Sequence, residues 1–185
     1  MTSQVSRILV LYGPPASGKS TITEALKSRN LRFRLFPRLK CGVGRRSEYR
    51  MVSREDLARL REDGQIIWEN ERYGAVYGTD RGHVESMLAE GLIPVIHAGQ
   101  PEVVDALAKA FPDAELTSAS LTCPRPVAVA RIESRATGDT AERIAAYDAT
   151  PPLPDADLVI DTSVNPATED ARRIAIACLG GEADA

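Results

Sequence analysis

The stretch GPPASGKST at residues 13–21 follows an uncharged run, ILVLY at 8–12, and runs into helix-forming residues at 19–27. An apolar run of that length ending at a glycine is what a parallel strand buried on both faces presents. Between such a strand and a helix, Gly13, Gly18, Lys19 and Ser20 meet the spacing G-x-x-x-x-G-K-S of a phosphate-binding loop, the Walker A pattern. The chemistry accounts for the residue types. Glycines let backbone N–H groups close on phosphate oxygens, and the following helix turns its positive end towards them. Lys19 would reach the β- and γ-phosphates, Ser20 would ligate Mg²⁺ through its hydroxyl, and Thr21 would donate a further hydrogen bond. The expected phosphate-binding set is Gly13, Ala16, Ser17, Gly18, Lys19, Ser20 and Thr21, with Ser20 the metal ligand. The alternative is a glycine-rich turn that merely joins strand to helix.

Outward from the loop, strands and helices alternate. LRFRLF at 31–36 alternates like a strand, and RLKCGVGRR at 38–46 looks like a basic, glycine-containing loop. SREDLARLREDG carries Ser53 as an N-cap, acids in its first turn and Gly64 just past its end. Residues 65–80 suggest short strands and a turn, followed by a helix that stops at Gly91 and a core strand, LIPVIH, at 92–97. Thereafter come helix, strand, two helices, the strand DLVID and a last helix opened by Pro166. This order predicts one α/β domain over 1–185, a parallel sheet with helices on both faces, interrupted at about 31–80 by an insertion. The tail at 180–185 reads as disordered.

Composition removes several functions. The formal net charge is −3, so no overall positive field recruits a nucleic acid polymer or an anionic membrane. No apolar run approaches the roughly 18 residues of a membrane span, and ILVLY is too short for a signal-peptide core, so a cytoplasmic location is expected. Three separated cysteines and two histidines give neither a disulfide framework nor a transition-metal site. No protein partner can be read from the sequence.

The motifs resemble the nucleoside-monophosphate kinases and, among them, the guanylate kinases. After the loop come Arg38, Tyr49, VSRED at 52–56, Glu71 and YGTD at 77–80, in that family's order and at similar spacing. VSRED and YGT carry most of the specificity. The resemblance covers residues 8–178 and implies a P-loop sheet, an acceptor-binding insertion and an arginine lid at about 131–143. It implies that Arg38, Tyr49 and Tyr77 hold the acceptor's phosphate, as guanidinium and phenol donors suit phosphate oxygens. Lys40, Arg45 and Arg46 are competing cations, and the loop is shorter than the family's. Arg131 and Arg135 match lid arginines that stabilise the transferring phosphoryl group, with Arg143 a possible third. Exposed arginines paired with Glu133 or Glu142 are the alternative.

The chain departs from the family's pattern around the acceptor's base. Glu71 stands where the family's carboxylate accepts from guanine, but the following serine is Asp80, and Arg34 replaces another serine. An aspartate facing a carbonyl oxygen sets acceptor against acceptor, which favours a base offering an amino group. The alternative is that Asp80 caps the next helix. His97 stands where the family usually carries an aspartate near the magnesium's water shell, or is a packed strand-end histidine, with Gln100 nearby.

A phosphate acceptor needs no general base, whereas a hydroxyl acceptor would prefer a carboxylate at the reacting centre. The leading expectation is ATP-dependent phosphoryl transfer to a nucleoside monophosphate or a related small phosphorylated acceptor, with Lys19, Arg131 and Arg135 as catalytic residues. The acceptor set would be Arg38, Arg45, Arg46, Tyr49, Glu71, Tyr77 and Asp80. A sugar-phosphate or specialised-metabolite kinase, and a non-catalytic guanylate kinase-like binding module, are the alternatives.

Overall fold

Strand β1 (Arg7–Tyr12) is buried along its whole length. Leu9 and Leu11 join one core cluster, and Ile8, Val10 and Tyr12 join another on the opposite face. That two-sided burial is why the run at 8–12 is continuous rather than alternating. The computed structural model describes residues 5–44, 46–72, 74–135 and 138–180.

The chain continues through α1 (Lys19–Arg29), β2 (Phe33–Leu35), β3 (Leu39–Gly42), β4 (Arg50–Met51), α2 (Arg54–Glu62), β5 (Ile66–Arg72) and β6 (Ala75–Asp80). It then forms α3 (Arg81–Ala89), β7 (Ile93–Ala98), α4 (Glu102–Ala110) and β8 (Glu115–Thr122). Last come α5 (Arg125–Glu133), α6 (Thr140–Ala149), β9 (Leu158–Asp161) and α7 (Ala167–Leu179). Ser53 caps α2, accepting from the Asp56 N–H at 3.0 Å, as the sequence indicates.

Five parallel strands in the order β2-β7-β1-β8-β9 make the main sheet. Helices α1 and α7 supply Ile22, Leu26, Ile174 and Cys178 to one face. Helices α3 and α4 supply Val84, Met87, Val103 and Leu107 to the other. The fold is thus the three-layer α/β arrangement expected. From neighbouring strands β1 and β8 the chain runs on to opposite edges of the sheet, to β2 and to β9, so the loop after β1 stands at the switch point where open α/β sheets bind ligands.

A second sheet, β4-β3-β6-β5, is antiparallel except for the β3–β4 pair. It differs from the sequence reading in two ways. β2 belongs to the main sheet, and β3 occupies residues read as a loop. Gly42, Gly44 and the cations around them mask β3's strand character, and pairing with β6 overrides local propensity there. Among the described residues no helix is long and apolar enough to cross a membrane.

Candidate active site

The loop after β1 is shaped for close backbone approach. At Gly13, φ is 155°, and a Cβ would lie 2.4 Å from the Leu121 carbonyl oxygen and 2.6 Å from Ser17 Oγ. No side chain fits there. Gly18 has φ 98° at the N-cap of α1, and Ala16 is left-handed with φ 63°. A non-glycine residue in that region costs about 1–2 kcal/mol, a strain typical of ligand-holding loops. Lys19 Nζ folds back to donate to the carbonyls of Gly13 at 2.6 Å and Pro14 at 2.8 Å.

Two cavities meet at this loop, sharing Ala16, Gly18 and Arg135. The first, about 350 Å³, lies between the loop and the second sheet. Six cations line it, Lys19, Arg38, Lys40, Arg72, Arg135 and Arg143, against two carboxylates, Glu48 and Asp139. Burial, reinforced by Arg38, Arg135 and Arg72, pulls the Lys19 pKa down to about 7. Burial likewise lowers Arg38, opposed by Tyr49 and Tyr77. Six cations against two carboxylates make a lining suited to an anion.

Strand register decides which side chains face this cavity. Lys40 of β3, Tyr77 of β6 and Asn70 of β5 are register partners in one row. All three line the cavity. Arg38 lies 5.3 Å from the Tyr77 ring centre, and Lys40 Nζ stands over both Tyr77 and Tyr49, at 5.3 and 5.4 Å. Lys40 is only 2% exposed. Arg72, two residues beyond Asn70, reaches towards the main sheet, where a Cβ on Gly99 would stand 3.8 Å from its Nη1.

Of the residues named from sequence, the loop set, Arg38, Tyr49, Tyr77 and Arg135 come together around the two cavities. Others lie elsewhere. Glu71 is exposed, paired with Val76 on the face of β5 opposite Asn70 and Arg72. Asp80 is buried, forms an ion pair with Arg50 and accepts from the His83 N–H at the start of α3. The capping alternative therefore describes its position. Arg46 is exposed and outside the cavity, and Arg34 Nη1 donates to the Phe33 carbonyl at 3.1 Å. Arg45 lies outside the described residues.

Arg131, expected beside the transferring phosphoryl group, instead braces the loop. It donates to the Ala16 carbonyl at 3.1 Å and to Thr162 Oγ1 and O, both at 3.0 Å. It lines the second cavity, about 290 Å³, with Thr21, Thr162 and Asp170. Arg143 reaches the first cavity and forms an ion pair with Asp139 at 2.7 Å.

His97, at the end of β7, lines the first cavity, with Nε2 2.8 Å from Thr23 Oγ1. That hydroxyl donates to the Lys19 carbonyl at 2.9 Å, so it accepts from His97 Nε2–H and leaves Nδ1 as the acceptor nitrogen. Burial, then Lys19 and Arg38, push the His97 pKa down to about 3, so the ring is neutral.

Asn70 and Arg72 escaped the sequence reading. Their signal was period-two alternation beside YGT, which pairs them with each other and separates them from Glu71.

No protein-family model matches the chain. Among curated proteins it is similar to the guanylate kinase of Symbiobacterium thermophilum, 36% identical over 93 residues, 45% of this chain and 42% of that protein. It is also similar to the guanylate kinase of Chelativorans sp., 34% identical over 89 residues, 45% of this chain and 41% of that one. The chain thus spans about two fifths of the length of the curated relatives it matches. Among solved structures, guanylate kinase from Anaplasma phagocytophilum shares the fold with a TM-score of 0.54 at 21% identity, over 94% of this chain and 85% of that one. The chain is thus similar in sequence to guanylate kinases over about two fifths of their length, and it shares the three-layer α/β fold of one of them.

Proposed function

We propose that this protein transfers the terminal phosphoryl group of ATP to a small phosphorylated acceptor, a nucleoside monophosphate or a close relative. The observation that carries this reading is the convergence of Lys19, Arg38, Arg72 and Arg135 on one cavity at the phosphate loop. The loop and Lys19 hold the triphosphate. Arg38, Lys40, Tyr49 and Tyr77 receive the acceptor's phosphate, whose oxygen is already anionic and needs no base. Lys19 and Arg135, with Arg72, offset charge that builds on the transferred group.

Ser20, exposed at the cavity, offers its hydroxyl to the Mg²⁺ that accompanies a nucleoside triphosphate. That ion supplies charge neutralisation across the phosphate oxygens. Among the described residues no group of three His, Cys, Asp or Glu side chains could hold a metal. Such a donor set fits an ion held chiefly by phosphates and water, as magnesium commonly is. Neutral His97 is placed to accept a hydrogen bond near the phosphates. Cys41, Cys123 and Cys178 are free thiols, in keeping with a reducing cytoplasm.

One observation favours a second reading, a sugar-phosphate or related metabolite kinase. Neither Glu71 nor Asp80 lines the acceptor cavity: Glu71 is exposed, and Asp80 is engaged by Arg50 and the start of α3. A coupled ADP-release assay across GMP, dGMP, AMP, CMP, UMP and a set of phosphosugars tests both. Turnover with a monophosphate nucleotide supports the first reading, turnover confined to phosphosugars the second. Silence with all acceptors, together with a Lys19→Ala variant that binds as well as the parent, would leave a binding module.

A further inference from the structure

Trp68, Asn70 and Arg72 share one face of β5, and the first two carry polar atoms sealed from solvent without a hydrogen-bond partner, Trp68 Nε1 and Asn70 Oδ1. Burying an unpaired acceptor is costly, and an apolar side chain of the same shape would avoid that cost. Packing alone therefore gives no reason for an asparagine at this position. Asn70 is half-buried and lines the first cavity. With Oδ1 sealed, Nδ2 is the polar atom that it turns towards the cavity.

The neighbours of Asn70 decide what such a donor meets. Tyr77, its register partner, stands roughly 5 Å away on the adjacent strand, with Arg38 and Lys40 against its ring. Arg72 lies two residues further along the same face. An anionic oxygen entering the cavity goes to those cations, because a charge-assisted hydrogen bond is stronger than one from a neutral amide. A ligand N–H finds no acceptor here, since Oδ1 is closed to it and the cations only donate. What remains for Nδ2 is an uncharged oxygen on the part of the acceptor beside its phosphate. Resting on the phosphoryl-transfer reading above, we propose that Asn70 Nδ2 donates to an uncharged oxygen of the acceptor, a sugar hydroxyl or a base carbonyl. Asn70 is then a specificity-determining residue, selecting an acceptor that presents oxygen at this point over one that presents hydrogen or an amino group.

Calorimetric binding to the intact chain tests this with IMP and three analogues that each lack one oxygen: 2′-deoxy-IMP, 3′-deoxy-IMP and purine riboside monophosphate. Ribose 5-phosphate and 2-deoxyribose 5-phosphate cover an acceptor without a base, and inorganic phosphate reports the anion site alone. The parent should bind IMP or ribose 5-phosphate about three- to tenfold tighter than one of its analogues, the range expected for one neutral hydrogen bond. The analogue that binds more weakly identifies the oxygen as hydroxyl or carbonyl. Asn70→Leu, close in shape, and Asn70→Ala should narrow the ratio to about twofold or less while inorganic phosphate binds as it does to the parent. Asn70→Leu should also melt at or above the parent's temperature, since it removes an orphan acceptor; a lower melting temperature would make the amide structural and overturn the proposal. Equal binding of every analogue by the parent, a preference that both variants keep, or binding of phosphate without any ester overturns it too, and leaves the anion site standing. Binding of none of the probes overturns the phosphorylated-acceptor reading itself, and this inference with it.

Discussion

The two sheets obey different rules. In the main sheet β1 is buried on both faces by apolar side chains, and it would pack equally well in a protein with no ligand. In the second sheet the cavity-facing row holds a nearly inaccessible lysine, a tyrosine and an asparagine with an orphan oxygen. Burying a charged side chain is costly, and proteins accept such costs chiefly at functional sites. The main sheet builds the fold and presents the phosphate loop. The second sheet, contributing little apolar core, brings Lys40 and Arg72, with Arg38 just before β3, to the loop's cavity.

The largest expected effect tests the shared point between them. Lys19→Ala should lower phosphoryl-transfer turnover by about a thousandfold or more while leaving thermal melting close to the parent's. A variant that keeps its turnover would remove the loop from the chemistry.

Next, Arg38→Ala isolates the second sheet. Steady-state kinetics should show acceptor kcat/KM about a hundredfold lower with the ATP KM unchanged. An equal effect on both substrates would mean that the two sheets do not divide the labour.

His97 offers a smaller, pH-dependent test. Its folded pKa, about 3, lies below the ordinary histidine value. Between about pH 6.5 and pH 3 the unfolded chain therefore binds a proton that the folded chain does not. The contribution to stability is full above about pH 6.5 and is lost as pH falls towards about 3. Denaturant unfolding across that window should show the slope, and His97→Asn should flatten it.

The smallest effects belong to the carboxylates outside the cavity. Glu71→Gln should change turnover by about twofold or less. Asp80→Asn should cost about 1–2 kcal/mol of stability through its cap and the Arg50 pair, with acceptor preference unchanged. A switch in preferred acceptor with either variant would return the base-reading role to these residues.

The sequence made the main sheet legible because its signals are local. Apolar runs, caps and the loop motif each lie within about a dozen residues, and β1, α1, α2 and α7 stand where those signals predicted. β3 was hidden because its strand character comes from pairing with β6, more than thirty residues away. Arg131's bracing contacts were hidden because its partners, Ala16 and Thr162, are distant in the chain.

Residues 13–21 by themselves determined the expectation of a phosphate site, since backbone N–H groups, a helix end and one lysine all come from that stretch. What surrounds the loop was decided only in three dimensions. Side chains along a strand alternate between faces, so a one-residue change of parity exchanges Glu71 for Asn70 and Arg72 in the cavity. That parity is fixed by pairing with β6 and by which face meets the phosphate loop, and neither is written in the strand itself.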